Sequence, residues 1–586
     1  MKSFTGYQDL LAEIRKDHSE KGGRTGRYAV RLIFLDDFEV YRTLIKDLGV
    51  KIVELSELME HDNFWFGQSR LCDIVSEQKE DSVIVPISEV IRFYDDANFE
   101  SFLGTVLLIQ NQEGRRIYIP LVGVKERFQK FWNSFNRKTE GPPVWYLTSD
   151  AGKLNKITVY SCMSDVNTLA TTINTNKEWL EYWKTDRSTP LITKTQSLIR
   201  RWEEFLPNGC FDKDSISSSK DVLLKVLNLN FSRSYLASEE IYWKALLAEC
   251  ERDTRLQSKF PVQILEELLG IQDFAKIDDI DIMVLFLNSE WYARWLITLV
   301  LDQVGDYDTY LKNVISNLPG LSEHDLIYGL YFDIFKPKLQ VFVSQRRKLI
   351  EALPKQFQNL VSKFKDSWFE RLKESGMGKQ LCTCYSIEER DCLVNDLADT
   401  EEFSELWEVY PKLAAYLDWE ARAGLLGKIM PQFIEYFKEY SRCKSLNKVS
   451  LEFDDLFEKL NGSKDSFYKW YYAVTKLKVE PGYKIIQFDG VGAEWLPYIL
   501  YCVEQHGAQY AKEVESCELR RVALPSITSL NKIEEAEFVR DFDQKIIHKA
   551  SGYHYPHSLI ESLDLIEEMI VNHVLLSPEG KICICA

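Results

Sequence analysis

No apolar run in this 586-residue chain approaches the length of a bilayer span, and Met1-Lys2-Ser3 leads directly into a polar amphipathic stretch without a signal-peptide core. A cytoplasmic protein with no membrane partner is therefore expected. Positive charge is in deficit: 72 Lys and Arg face 90 Asp and Glu, for a net charge of −18. A dedicated sequence-independent DNA coat would be basic, so that class is set aside, although a local basic patch stays compatible. Nucleotide-binding glycine signatures are also missing. Lys21-Gly-Gly-Arg-Thr-Gly-Arg27 is glycine-rich and basic, but it precedes the first apolar run and lacks the Gly-Lys-Ser/Thr ending of a P-loop. No GxGxxG follows a strand, so this stretch reads as a solvated linker and an ATPase has no support. Zinc-site spacing is absent as well. The twelve cysteines are scattered, and Cys382-Thr-Cys384 with Cys392 lacks a second CxxC or a His pair. Reduced, structural thiols are expected. Cys583 and Cys585 alternate on an apolar run and read as core residues.

Apolar residues make up 45% of the chain and aromatics 13%, which provides for a large core. The length predicts roughly three to five domains. Residues 1–165 read as an α/β, Rossmann-like domain. Apolar runs at Tyr28–Leu35, Lys51–Leu55, Ser82–Ile87, Thr105–Ile109 and Arg116–Val122 alternate with helix-length segments, the pattern of a doubly wound sheet. Asp36 and Asp37, at the end of the first run, could bind a metal or a ribose, but the favoured reading is a helix cap. Residues 166–478 read as an all-α region. Glycine is sparse there, and apolar residues recur at three- and four-residue spacing in Ile241–Ala248, Trp291–Val300 and Leu413–Tyr440. Leu318-Pro-Gly320 and Val479-Glu-Pro-Gly482 mark helix ends. Its aromatics read as core residues; a base-stacking platform would need Arg and Lys in an open groove, and acidic Glu401-Glu-Phe-Ser-Glu405 argues against one locally. Ser344-Gln-Arg-Arg-Lys348 is the best basic cluster and reads as a solvated face.

The last segment, 479–586, carries the chemistry. Ile485-Ile486-Gln487-Phe488 stops on Asp489-Gly490; an amphipathic segment follows; Val522-Ala523-Leu524 stops on Pro525-Ser526-Ile527-Thr528; Ile582-Cys583-Ile584-Cys585 is the final run. Short apolar runs alternating with helices predict a parallel sheet, whose ligand crevice lies beyond the carboxyl ends of its strands. Asp489 and Thr528 would converge there. A carboxylate-held divalent metal can activate a threonine hydroxyl as a nucleophile. Asn531, in the first turn of the next helix, could face a phosphoryl oxygen. The competing readings are an Asp-Gly turn and a Thr helix cap. Five of the eight histidines (His506, His548, His554, His557 and His573) fall in this segment, and imidazole is a common metal ligand. His506 and His573 read as surface residues, and Arg520-Arg521, at the far end of the second run, as structural.

Ile-Ile-Gln-Phe-Asp-Gly (485–490) followed by Leu-Pro-Ser-Ile-Thr-Ser-Leu-Asn-Lys (524–532) resembles the start of a PglZ domain, of the alkaline phosphatase superfamily. The chain as a whole resembles the PglZ proteins of type 4 BREX phage-defence systems. The resemblance implies an incomplete alkaline-phosphatase-like α/β domain over 479–586, with Asp489 as a metal ligand. It implies Thr528 as nucleophile and metal ligand, and Asn531 as the phosphoryl-oxygen partner. Asp543 and His548 are the best match for ligands of a second metal, with Asp541 and His554 as runners-up. A divalent metal, Zn or Mn, belongs to the complete domain. The family's Asp-His-Gly would follow a strand resembling Lys581–Ala586, and the chain ends first, so a truncated domain is expected, with little or no metal bound and no turnover. The implied function is a metal-dependent phosphoesterase or nuclease of an anti-phage system, with DNA and other BREX proteins as partners. The alternative is a non-catalytic scaffold that docks other defence proteins.

Overall fold

The computed structural model describes residues 1–20, 24–112, 114–135, 144–148, 157–162, 166, 168–185, 190–205, 211–304, 308–422, 431–462, 466–475, 481–524 and 526–586. Lys21-Gly-Gly23, Val479-Glu480, Pro525 and the middle of the Leu413–Tyr440 run lie outside them. The chain divides into two compact units, Met1–Gln272 and Asp273–Ala586. Both mix helices with parallel sheet. Among the described residues no helix is long and apolar enough to cross a membrane.

The first unit is built on six parallel strands: β1 (Lys2–Phe4), β2 (Val30–Leu35), β3 (Lys51–Glu54), β4 (Ser82–Val85), β5 (Ile117–Val122) and β6 (Val144–Leu147), in the order β1-β6-β2-β5-β4-β3. Every residue of β2 and β5 is buried, as expected for strands covered on both faces. One buried residue is Arg31, whose guanidinium pairs with the Asp17 carboxylate at 2.7 Å. Asp37 accepts from the Glu39 and Val40 amides at 2.6 and 3.1 Å, so it caps the helix Phe38–Asp47 as favoured above.

Two expectations for this unit are corrected. Thr105–Ile109 is not a strand. Asp95 caps a helix, Asp96–Val106, whose Phe99, Phe102, Leu103 and Val106 are buried at helical spacing, so the run's apolar residues finish a helix. The region from 166 does not open all-helical either. Strands β7 (Ile157–Cys162), β8 (Thr172–Ile173), β9 (Leu191–Thr193) and β10 (Phe211–Ile216) form a second parallel sheet, β10-β7-β9-β8. β8 and β9, two and three residues long, are too short for alternation to register.

The second unit is mostly helical. Trp291–Gln303 buries eight consecutive residues, Arg294 to Leu301. The basic cluster near 346 is not a solvated face. Arg346 is fully buried, donates to the Leu330 and Leu381 carbonyls at 3.1 and 2.7 Å, and lies over the Trp368 ring. Arg347 donates to the Gln380 carbonyl. Three strands close the unit: β11 (Lys484–Phe488), β12 (Glu537–Val539) and β13 (Ile582–Cys585), parallel, with β11 central. Val522–Leu524, expected as the second strand, joins no ladder, and Val522 and Leu524 are exposed. The Glu-Phe-Val of β12 takes the place beside β11 instead.

Candidate functional site

The site forms at the carboxyl ends of β11 and β12. The Asp489 amide donates to the Val539 carbonyl at 2.9 Å, extending the ladder one residue past β11. Gly490 follows with φ +80°, a conformation open to glycine, and the chain turns away. The Asp489 carboxylate is thereby held at the sheet edge with 13% of its side chain exposed. The Thr528 hydroxyl donates to Asp489 Oδ1 at 3.0 Å. The two side chains singled out by sequence, 39 residues apart, therefore meet. Thr528 opens a single helical turn, Thr528–Asn531, and is exposed.

Asp543 joins from the turn that follows β12. Residues Asp543–Ile547 form one wide helical turn of the i→i+5 kind, closed by the His548 amide on the Asp543 carbonyl at 2.8 Å. This winding brings residues five apart onto one face, and His548 Nε2 lies 3.3 Å from Asp543 Oδ1. The Asp543 side chain is 14% exposed and His548 73%. Close packing joins the two halves: a Cβ on Gly490 would lie 3.2 Å from the Asp543 Cα. Of the runners-up, Asp541 pairs with Lys545 at 2.9 Å, and no contact joins the His554 ring to Asp489, Thr528 or Asp543 among the described residues.

Arg540 was not anticipated. It follows β12 directly, with Nε 3.9 Å from Asp489 Oδ2 and Nη2 3.7 Å from Asp543 Oδ2. The signal was the Val539-Arg540 step at the end of a strand too short to recognise. Asn531 is placed where expected, but its amide is engaged otherwise. Oδ1 accepts from the Ala523 amide at 2.6 Å, and Nδ2 donates to the Ala523 and Ile527 carbonyls, each at 3.1 Å. It braces the loop that carries Thr528. Gln487 on β11 clamps the same loop from below, donating to the Asn531 carbonyl at 3.0 Å and accepting from the Ile533 amide at 2.9 Å.

The remaining candidates are structural. Arg521 lies over the Tyr471 and Tyr472 rings, and Arg520 pairs with Glu518. His506 contacts Glu567 at 3.0 Å and His573 contacts Glu537 at 2.9 Å, so both are partly exposed but tied to carboxylates. Cys382 is a buried free thiol hydrogen-bonded with that of Cys392, and the Cys384 thiol donates to the Val409 carbonyl.

Asp489 Oδ1 and Thr528 Oγ1 have the spacing of two oxygens on one cation. Among the described residues, however, no group of three or more His, Cys, Asp or Glu side chains could hold a metal ion. These donors do not amount to a metal site by themselves. The class defined by fold and site is a parallel-sheet protein with a threonine–carboxylate pair at the carboxyl edge. No family model, curated protein or solved structure matches the chain.

Proposed function

We propose that residues 484–585 carry part of a phosphoester-hydrolysing site of the alkaline phosphatase kind, in a cytoplasmic PglZ-like protein of a BREX anti-phage system. The Thr528–Asp489 contact carries this reading. By accepting the hydroxyl hydrogen, Asp489 turns the Thr528 lone pairs outward, toward an incoming phosphorus. Thr528 would pass its proton to Asp489 as Oγ forms the new P–O bond, and the bond to the leaving oxygen would break as that oxygen takes a proton from water. A second water would later hydrolyse the phosphothreonine, releasing phosphate from a monoester or a phosphomonoester from a diester. A carboxylate is a weak base toward an alcohol at pH 7. A bound Zn or Mn ion would supply the acidity that Thr528 lacks. The phosphoryl-oxygen role expected of Asn531 is withdrawn here, because its amide is spent on Ala523. The substrate class is a phosphodiester such as DNA or a phosphomonoester.

With only two oxygen donors in contact, metal binding by this chain is expected to be weak and hydrolysis slow or absent. Bis(p-nitrophenyl) phosphate with millimolar Mn²⁺ tests this. Any turnover should vanish in Thr528→Ala, and turnover that survives the substitution overturns the reading.

A scaffold is the second reading. It is favoured by the first unit, where the sheet-edge Asp37 is consumed as a helix cap. Co-purification of other defence-system proteins, unchanged by Asp489→Ala, would support it.

A further inference from the structure

Cys382-Thr-Cys384 with Cys392 lacks the spacing of a zinc site, yet the fold brings two of these thiols together. The helix Ile387–Thr400 carries Glu389 and Cys392 on one face, one turn apart. Glu389 accepts from the Thr383 amide and from the Thr383 hydroxyl, each at 3.2 Å. Cys382, the residue before Thr383, meets Cys392 one turn further along the helix, thiol to thiol. We propose that Cys382 and Cys392 are a redox-active thiol pair, which closes to a disulfide by exchange with a low-molecular-weight disulfide such as oxidised glutathione. The pair takes no part in the Thr528 site, and the proposal stands apart from the phosphoester reading.

Three observations carry it. First, the segment that bears Cys382 is anchored on both sides. The Leu381 carbonyl accepts from Arg346 at 2.7 Å, and Thr383 is held by Glu389, which accepts from the Ser386 hydroxyl at 2.9 Å. Two thiols held in contact need only a short approach to reach the ~2 Å of an S–S bond. Second, the two thiols differ in access. Cys382 is fully buried and Cys392 is partly exposed, so Cys392 meets an incoming disulfide first and Cys382 resolves it. The hydrogen bond from Cys382 also holds the Cys392 thiol below its ordinary value, and the same contact, with burial, pushes Cys382 up. Third, Cys384 does not compete, because its thiol is engaged by the Val409 carbonyl at 3.2 Å.

In the exchange the Cys392 thiolate attacks one sulfur of the small disulfide, whose S–S bond breaks, and one glutathione leaves as thiolate. Cys382 then gives its proton to solvent and attacks the Cys392 sulfur, expelling the second glutathione thiolate. Two protein thiols are oxidised and one small disulfide is reduced to two thiols. The resting pair is reduced, and its disulfide is transient, as intracellular redox pairs are.

The test treats the folded full chain with oxidised glutathione, blocks the remaining thiols with iodoacetamide and maps the peptides by mass spectrometry. A Cys382–Cys392 link that dithiothreitol reverses is expected. Cys382→Ser should leave glutathione trapped on Cys392, and Cys384→Ser should leave the link unchanged. No link in the wild type, glutathione that stays on Cys392 there, a link through Cys384 instead, or a Cys382–Cys392 link that forms only in urea overturns the proposal. Cys382→Ala replaces the Ser variant if that one fails to fold, and the wild-type peptide map decides without either.

Discussion

Asn531 spends both ends of its amide on a single residue, Ala523, and a further bond on Ile527. A side chain used this way acts as a clip. It gives the segment before Thr528 its shape, although that segment has no strand partner and exposes Val522, Leu524 and Ile527. Asn531→Ala should cost about 1–2 kcal/mol, the cost of leaving backbone groups unpaired. Limited proteolysis should then cut between residues 522 and 528 faster than in the wild type. The reading of Asn531 as a phosphate contact followed from its position, which was right, but a sequence does not show where an amide's hydrogen bonds go. Arg346 is a similar case. A run of basic residues reads as solvated, yet its guanidinium is fully buried because two carbonyls and the Trp368 ring compensate its desolvation.

Among the elements, β11 was recognisable because four apolar-flanked residues stop on Asp-Gly, and β13 because of Ile-Cys-Ile-Cys. β12 was not, since Glu-Phe-Val gives one alternation and no more. Misplacing that strand hid Arg540. The pairing of Asp543 with His548 was visible as composition but not as geometry, because five-residue spacing is off-face in an ordinary α-helix and on-face only in the wider turn found here. The turn at Gly490 links these elements. Gly490→Ala would place a methyl group 3.2–3.3 Å from the Asp543 Cα, the Asp543 amide and Ile547, at a φ of +80° that alanine resists. The expected cost is about 1–3 kcal/mol. Because the strain falls on the junction of the two carboxylates, the melting temperature should drop accordingly.

In the second unit as a whole, helices far apart in sequence are joined by charge. Arg390 pairs with Asp564 at 2.5 Å, Lys412 with Asp564 and Glu567 at 3.1 and 2.5 Å, and His506 with Glu567 at 3.0 Å. Burial works against the charged form of Asp564, but Arg390 and Lys412 outweigh it and hold this carboxyl below its ordinary value. Glu567 is likewise desolvated, yet lowered by Lys412 and His506. A carboxylate depressed in the folded state contributes stability that is fully present above its unfolded pKa, about 4, and is lost as pH falls through the folded value. Melting temperature should therefore be nearly flat from pH 7 to about 5 and fall below pH 4. Lys412→Met should reduce the part of that fall due to these two acids.

The three-residue strand β12 ends at Val539, whose carbonyl holds the Asp489 amide, and the next residue is Arg540. Peeling β12 from its neighbour would thus free the anchor of the Asp489 carboxylate together with Arg540 and the lead-in to Asp543. The carboxylate half of the site therefore stands on that short edge, while the loop that carries Thr528 is braced separately by Asn531 and by Gln487 on β11.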